Sequence, residues 1–287
     1  MEPCELSIII VDYKSFDLTA NVVSDIEKFL PTVRHEILIV DNDGTTTDKF
    51  RDLYRDDKNI KIIRAEKNRG FGAGNNLGAK SAKGKYLLLL NPDTRIVDDS
   101  ISKMLDFLAA HPEIGVLSPL IYQPDGKTLQ RHFFADFQSF SGLIWKRRQN
   151  NARVIPNFSS VIPAHRVNSG GVHNSSDDFF LVEMTTAAAL MIRRDLFEKL
   201  GGFDQKFFMY FEDEDLCRRI TKLGLKNAVL KTAKIIHLEG QSSNNQQKKK
   251  FYYASQNYYW QKWYGTLPRI LMQIIRFPYL LWQKISG

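Results

Sequence analysis

Apolar runs alternate with amphipathic stretches along the first 122 residues. "LSIIIVDY" (6–13), "HEILIVDN" (35–42), "NIKIIRA" (59–65), "KYLLLLNPD" (85–93) and "IGVLSPLIY" (114–122) are short and mostly unbroken. That is the pattern of strands covered on both faces. Between them, residues 16–30, 45–57, 73–84 and 99–112 read as helices. The first stops at Pro31, the second opens with threonine caps, and the fourth starts at Asp98 and Asp99. Such alternation predicts a parallel sheet with helices on both faces, an α/β unit of nucleotide-binding type over 1–122.

Beyond that point the pattern changes. "QPDGKTLQ" (123–130) reads as a turn between short strands. Residues 133–180 are rich in Asn, Ser and Phe without periodicity, the character of a lid or an acceptor-facing loop. Regular structure resumes at "VEMTTAAALMIRR" (182–194), followed by a helix over 211–224 and a turn and strand over 226–240. These two halves, 1–122 and 123–245, precede a basic, aromatic tail at 246–287. In the tail, Lys248, Lys249, Lys250 and Lys262 stand among Tyr, Trp and Phe. Arg269, Gln273, Arg276 and Gln283 then recur at helical spacing against an otherwise apolar segment. Pro268 suits a first turn, and Pro278 predicts a kink. A basic amphipathic helix of this kind lies in an anionic membrane interface, or packs on the protein's own core or a second copy in a homodimer.

Composition narrows the class. The 287 residues are 43% hydrophobic and 25% charged, ordinary for a globular chain with a substantial core. Cys4 and Cys217 give no disulfide framework and fit a reducing compartment. The N-terminal segment lacks the basic region of a signal peptide, and no run of about 20 apolar residues is present. A net charge of +8 suits nucleic acid, an anionic membrane surface or a phosphorylated ligand. No nucleic-acid-binding motif accompanies it.

Candidate chemistry gathers at the strand ends. In parallel α/β sheets, ligands bind outside the carboxyl ends of the strands. There stand Asp12-Tyr13, Asp41-Asn42-Asp43 and Asn91-Pro92-Asp93. Each acid alone reads as readily as a cap or turn residue; together they suit a cation with a diphosphate, or base and ribose groups. In "YFEDEDLCRR" the acids at 212–215 complement a helix dipole. Glu214 can pair with Arg218 and Asp215 with Arg219. Asp213 faces Leu216 and Cys217 at those spacings, which leaves it free to act as a general base. His237 ends the apolar run "AKIIHLEG", either as a polar strand end or as a metal ligand.

The segments "SIIIVDYKS", "ILIVDND", "NRGFGAGNNLGAK", "YLLLLNPDT", "LGGFDQKFFMYFEDEDLCRRITKLG" and "AKIIHLEG" stand in one order over roughly 6–240. In this the chain resembles the inverting glycosyltransferases of family 2, in the branch of the bacterial rhamnosyltransferases. The resemblance implies a GT-A fold, a nucleotide-binding half merged with an acceptor-binding half. It implies donor contacts from Tyr13 against the base, Asp41 at the base edge, and Asn68, Gly70, Asn75, Asn91 and Asp93 along the diphosphate and sugar. Asp93 and His237 would hold Mg²⁺ or Mn²⁺, Asp213 would be the base, and Glu212 and Thr186 would contact the acceptor. The implied donor is dTDP-L-rhamnose, with a UDP-sugar of galactofuranose, glucose or N-acetylglucosamine as the alternative. The implied acceptor is a lipid-linked saccharide in cell-surface polysaccharide assembly. The protein would sit in the cytoplasm, peripheral on the inner face of the membrane. Two positions depart from the family pattern: Asn91 replaces the first acid of the metal motif, and Ala187 stands where glycine is frequent. A sugar nucleotidyltransferase would carry a glycine-rich basic loop after the first strand, where "VDYKSFD" has no glycine. A non-catalytic membrane-surface adaptor is the reading from a different class.

Overall fold

The computed structural model describes residues 4–130, 134–135, 137, 178–238 and 245–285. The lid or acceptor loop expected within 133–180 falls almost wholly outside them. The first half runs β1 (Leu6–Asp12), α1 (Phe16–Phe29), β2 (His35–Asp41), α2 (Thr47–Leu53), β3 (Ile60–Arg64), α3 (Phe71–Ala79), β4 (Tyr86–Leu90), β5 (Thr94–Arg95), α4 (Ser100–Ala110) and β6 (Ile114–Tyr122). It is followed by β7 (Phe134–Ala135), β8 (Phe179–Val182), β9 (Met184–Thr185), β10 (Ala189–Arg193), α5 (Arg194–Lys199), α6 (Glu212–Lys222), β11 (Lys226–His237), α7 (Asn245–Tyr264) and α8 (Thr266–Ile285).

The main sheet has the order β3-β2-β1-β4-β10-β6-β11-β5, and β8 also pairs with β11. β1 to β4 pair in parallel, as expected. The expected fifth strand, β6, does not pair with β4. β10 lies between them, antiparallel to both. Ala189, Leu190, Met191 and Ile192 are fully buried, so β10 is as apolar on both faces as any central strand. Periodicity identifies such a strand but not the slot it enters. Alternate residues serve opposite faces. Leu6, Ile8 and Ile10 pack with Val22 and Ile26 of α1 and Met104 and Leu105 of α4. Ile9 and Val11 pack on the other side with Ala79, Phe203, Leu216 and Ile220.

The glycine-rich segment is read differently by the structure than by its composition. The helix begins at Phe71, two residues before the expected start. Its glycines bring the helix axis close to the sheet. A Cβ at Gly78 would lie 2.6 Å from Ile9, and one at Gly74 2.7 Å from Val11. Gly70, with φ +98°, passes under the backbone of the 203–211 loop, where a Cβ would lie 2.0 Å from the Phe208 carbonyl oxygen. Glycine is required here by the chain's own backbone. Gly70→Ala combines a positive φ with a backbone clash and is expected to cost at least about 2 kcal/mol. A denaturant midpoint equal to wild type would show that the loop yields freely at this point.

The tail forms two helices that pack on the same loop. Tyr259 and Trp260 of α7 are fully buried with Phe207, Phe211 and Met272 in a third core cluster. The aromatic residues around 251–264 therefore serve the protein's own interior, the second of the two uses their pattern allows. α8 is one helix that carries on through Pro278. The side chain of Gln283 lies outside the described residues.

Candidate active site

The carboxyl ends of β1, β2 and β4 share one edge of the sheet, and two of their acids are turned inward. Asp12 is fully buried. It accepts hydrogen bonds from the Ser15 hydroxyl at 2.8 Å, the Thr19 hydroxyl at 2.8 Å and the Thr46 hydroxyl at 2.9 Å. It is a brace between the starts of α1 and α2. Asp41, also fully buried, accepts from the backbone amides of Gly44 at 2.9 Å and Thr46 at 3.0 Å, more distantly from Asp43, and from the Thr47 hydroxyl. Burial pushes its pKa up, but the bonds from Thr47, Thr46, Gly44 and Asp43 outweigh this and leave it below the ordinary carboxylate value. Both oxygens are engaged in shaping the 43–47 turn. Tyr13, by contrast, is 38% exposed, with the Lys14 ammonium 5.5 Å from its ring centre. An open aromatic face at a strand end is a stacking surface.

The small polar residues divide in the same way. Asn68 accepts from the Gly70 amide at 2.8 Å and the Asn42 side chain at 3.1 Å, which fixes the turn into α3. Asn75 donates to the Phe71 carbonyl at 3.1 Å, but its Oδ1 is buried without a partner. The Asn91 Oδ1 is likewise buried and unpartnered. Both oxygens keep their full capacity to accept a hydrogen bond.

Asp93 and His237, 144 residues apart, meet with Nε2 3.1 Å from Oδ1. The cause lies in β11. Its register against β6 shifts between Leu230 and Lys234, and the residues beyond the irregularity, Ile236 and His237, pair with Arg95 and Thr94. Such bulges re-aim side chains beside active sites. Gln130 Oε1 lies 3.0 Å from His237 Nδ1. The imidazole thus stands between two oxygens, Gln130 Oε1 and Asp93 Oδ1. Among the described residues no group of three or more His, Cys, Asp or Glu is suited to a metal ion. One carboxylate and one imidazole nevertheless fit a divalent cation of the kind completed by a ligand's phosphates and water. Gln130 was not legible as a site residue; its place in a turn gave no signal.

Asp213 opens α6. Its oxygens accept from the Glu214 amide at 2.9 Å and the Ala187 amide at 3.3 Å. The Ala188 carbonyl in turn accepts from the Asn91 amide at 2.9 Å. A short run of backbone thus joins Asp213 to Asn91-Pro92-Asp93. Thr186, whose hydroxyl accepts from the Ala188 amide at 3.3 Å, belongs to the same run. Burial pushes the Asp213 carboxyl up. Glu212 is 5% exposed and has an unpartnered Oε2; burial first, and the Asp213 charge second, drive its pKa well up. Asp215 pairs with Arg219 at 2.9 Å, as expected, and also receives Trp263 Nε1 at 2.9 Å and Lys262 at 2.6 Å from α7. Arg218 donates to the Tyr264 hydroxyl at 2.6 Å. The turn entering α6 is strained: Tyr210 and Phe211 both have φ of 70°. Rings of α7 cover it, with Tyr252 5.2 Å and Tyr259 5.3 Å from Phe211.

A mixed sheet with helices on both faces and this strand-end site defines a GT-A architecture. The model of glycosyl transferase family 2 matches residues 7–201, more than half of the chain, and the chain belongs to that family. Its relatives place it in the rhamnosyltransferase-like branch. It is 27% identical over 237 residues to the O-antigen biosynthesis protein RfbC of Myxococcus xanthus, covering 82% of this chain but only 17% of that protein. It is 25% identical over 224 residues to the N-acetylglucosaminyl-diphospho-decaprenol L-rhamnosyltransferase of Mycobacterium tuberculosis, covering 72% of this chain and 67% of that one. The chain thus spans less than two thirds of the first relative's length. Among solved structures, GalNAc-T7 with UDP, GalNAc and Mn²⁺ aligns with a TM-score of 0.61 over 89% of this chain and 48% of that one, at 16% identity, a likeness of fold.

Proposed function

We propose that the protein transfers a sugar, with inversion, from a nucleotide-sugar to a hydroxyl of a saccharide acceptor. The observation that carries the reading is the joining of Asp213, through Ala187 and Ala188, to the strand end that holds Asp93 beside His237. Tyr13 stacks on the base, and Asp41 shapes the turn on the base side. Asn68 holds the turn at Gly70. Asn75 and Asn91 accept hydrogen bonds from the donor with their unpartnered oxygens. Glu212 and Thr186 orient the acceptor hydroxyl, and an oxygen of Asp213 takes its proton as it attacks the anomeric carbon in line. Mg²⁺ or Mn²⁺ held by Asp93 and His237 would supply positive charge against the departing diphosphate.

The donor is dTDP-L-rhamnose, and the acceptor is a lipid-linked saccharide used in cell-surface polysaccharide assembly at the cytoplasmic face of a membrane. Support comes from the branch in which the relatives fall, one of which is named for a decaprenol-linked acceptor and L-rhamnose. A thermal-shift panel of dTDP-L-rhamnose, UDP-N-acetylglucosamine and UDP-glucose, with and without Mn²⁺, tests the donor. A ligand at about 100 times its Kd adds about 2.7 kcal/mol of stability by mass action. The largest Mn²⁺-dependent rise is expected with dTDP-L-rhamnose. A larger rise with a UDP-sugar would reassign the donor, and no rise with any of them would remove the transferase reading.

A further inference from the structure

Helix α8 is amphipathic in the reverse of the usual sense. Its polar side faces the protein. Arg276 donates to Gln256 Oε1 at 2.9 Å and Asn257 Oδ1 at 3.1 Å on α7, and lies 4.5 Å from the centre of the Tyr253 ring. Met272, 2% exposed, is its contribution to the third core cluster. The opposite side presents Leu267, Ile270, Leu271, Ile274 and Ile275, exposed by 67, 40, 43, 60 and 37%. Spacings of three and four residues make these one continuous stripe over three helical turns. Soluble surfaces rarely leave such a stripe uncovered.

We propose that this stripe docks on an anionic lipid bilayer, with α8 lying in the plane of the interface. Two observations select this occupant. From Leu267 to Ile275 the described stripe is Leu and Ile, and hydrocarbon asks for no hydrogen-bonding group. The charge then decides between lipid and a second copy. Lys248, Lys249 and Lys250 stand in the first two turns of α7, the helix on which Arg276 anchors α8. With a net charge of +8, two copies repel one another, whereas anionic headgroups attract the chain. No helix among the described residues is long and apolar enough to cross a membrane, so the contact is with one leaflet. Because Phe211 and Tyr259 share a cluster with Met272, the docked helix would hold the mouth of α6 at the lipid surface.

The test needs no sugar donor, so its outcome is independent of the transfer reading. The whole chain is sedimented with phosphatidylcholine vesicles with and without phosphatidylserine. Binding is expected to the anionic vesicles, with slower hydrogen exchange over 266–276 when they are added. Ile270→Glu with Ile274→Glu should weaken binding about tenfold or more. Leu53→Glu, at a 52% exposed apolar position on α2, should leave it unchanged. Wild-type protein that remains in the supernatant, or a double variant that binds as well as wild type, would overturn the proposal. Equal binding to neutral vesicles would overturn its anionic part. A dimer dispersed by the double variant, without vesicle binding by wild type, would assign the stripe to a second copy.

Discussion

Asp213→Asn is expected to lower turnover by about 10²–10⁴-fold, the usual contribution of a general base, while donor affinity stays near wild type. The amide keeps the shape of the side chain and an oxygen for the bond from the Ala187 amide at 3.3 Å, but it cannot take a proton. The helix start should therefore persist. The pH profile offers a second check. Burial raises the Asp213 carboxyl, and burial with the neighbouring Asp213 charge raises Glu212. A base must be ionised to work, so the rate of the wild type should climb with pH through a value above that of an ordinary carboxylate, and the pair should titrate as a unit. Asp213→Asn should abolish that limb as well as the rate. Near-normal turnover by the variant would pass the role to Glu212 or to another group at this edge. Asp215 is a poor substitute, because Arg219, Lys262 and Trp263 already occupy it.

The second large effect is expected at Asp93. Asp93→Ala removes the only acid within the Asn91-Pro92-Asp93 turn and leaves His237 Nε2 without its neighbour at 3.1 Å. Calorimetric titration with a nucleoside diphosphate should then lose most of its Mn²⁺ dependence, with a fall in affinity of about tenfold or more, since a carboxylate and the phosphates together hold such a cation. His237→Ala should lose less, as the carboxylate remains. Equal Mn²⁺-dependent affinity in Asp93→Ala and wild type would reduce Asp93 to a turn residue.

The sequence disclosed the first half well because its signals are local. β1, β2 and β4 are mostly unbroken apolar runs and β3 is broken only by Lys61, and the observed ends fall within three residues of the expected ones. It disclosed less where a decision is made at long range. Regular structure is expected over 182–194, but the antiparallel insertion of β10 between β4 and β6 depends on partners far along the chain. The meeting of Asp93 and His237 rests on an irregularity in β11 that no spacing announces. Asp12 and Asp41 show what a strand-end position does not announce: nearby hydroxyls and amides bond to both. In α8 the period showed that the helix has two faces, but a period is symmetrical about in and out. Only the contacts of Met272 and Arg276 reveal that the polar side is the inner one.

The 203–211 loop has no regular secondary structure, yet it is fastened along its length. Phe203 exchanges two bonds with Asn76, each of 2.8 Å. Asp204 accepts from Tyr258 and Lys262, and the Phe208 carbonyl from the Phe71 amide at 3.0 Å. The Met209 carbonyl accepts from Ser255 at 2.8 Å, and the Phe211 carbonyl from the Asp215 amide at 2.9 Å. The loop therefore acts as a ruler between α3 and α6. Its length sets the distance between the start of α3 at Phe71 and the start of α6 at Glu212. A residue gained or lost here would change that distance at a stroke, whereas the same change in the turn at 54–58 would alter nothing but the surface.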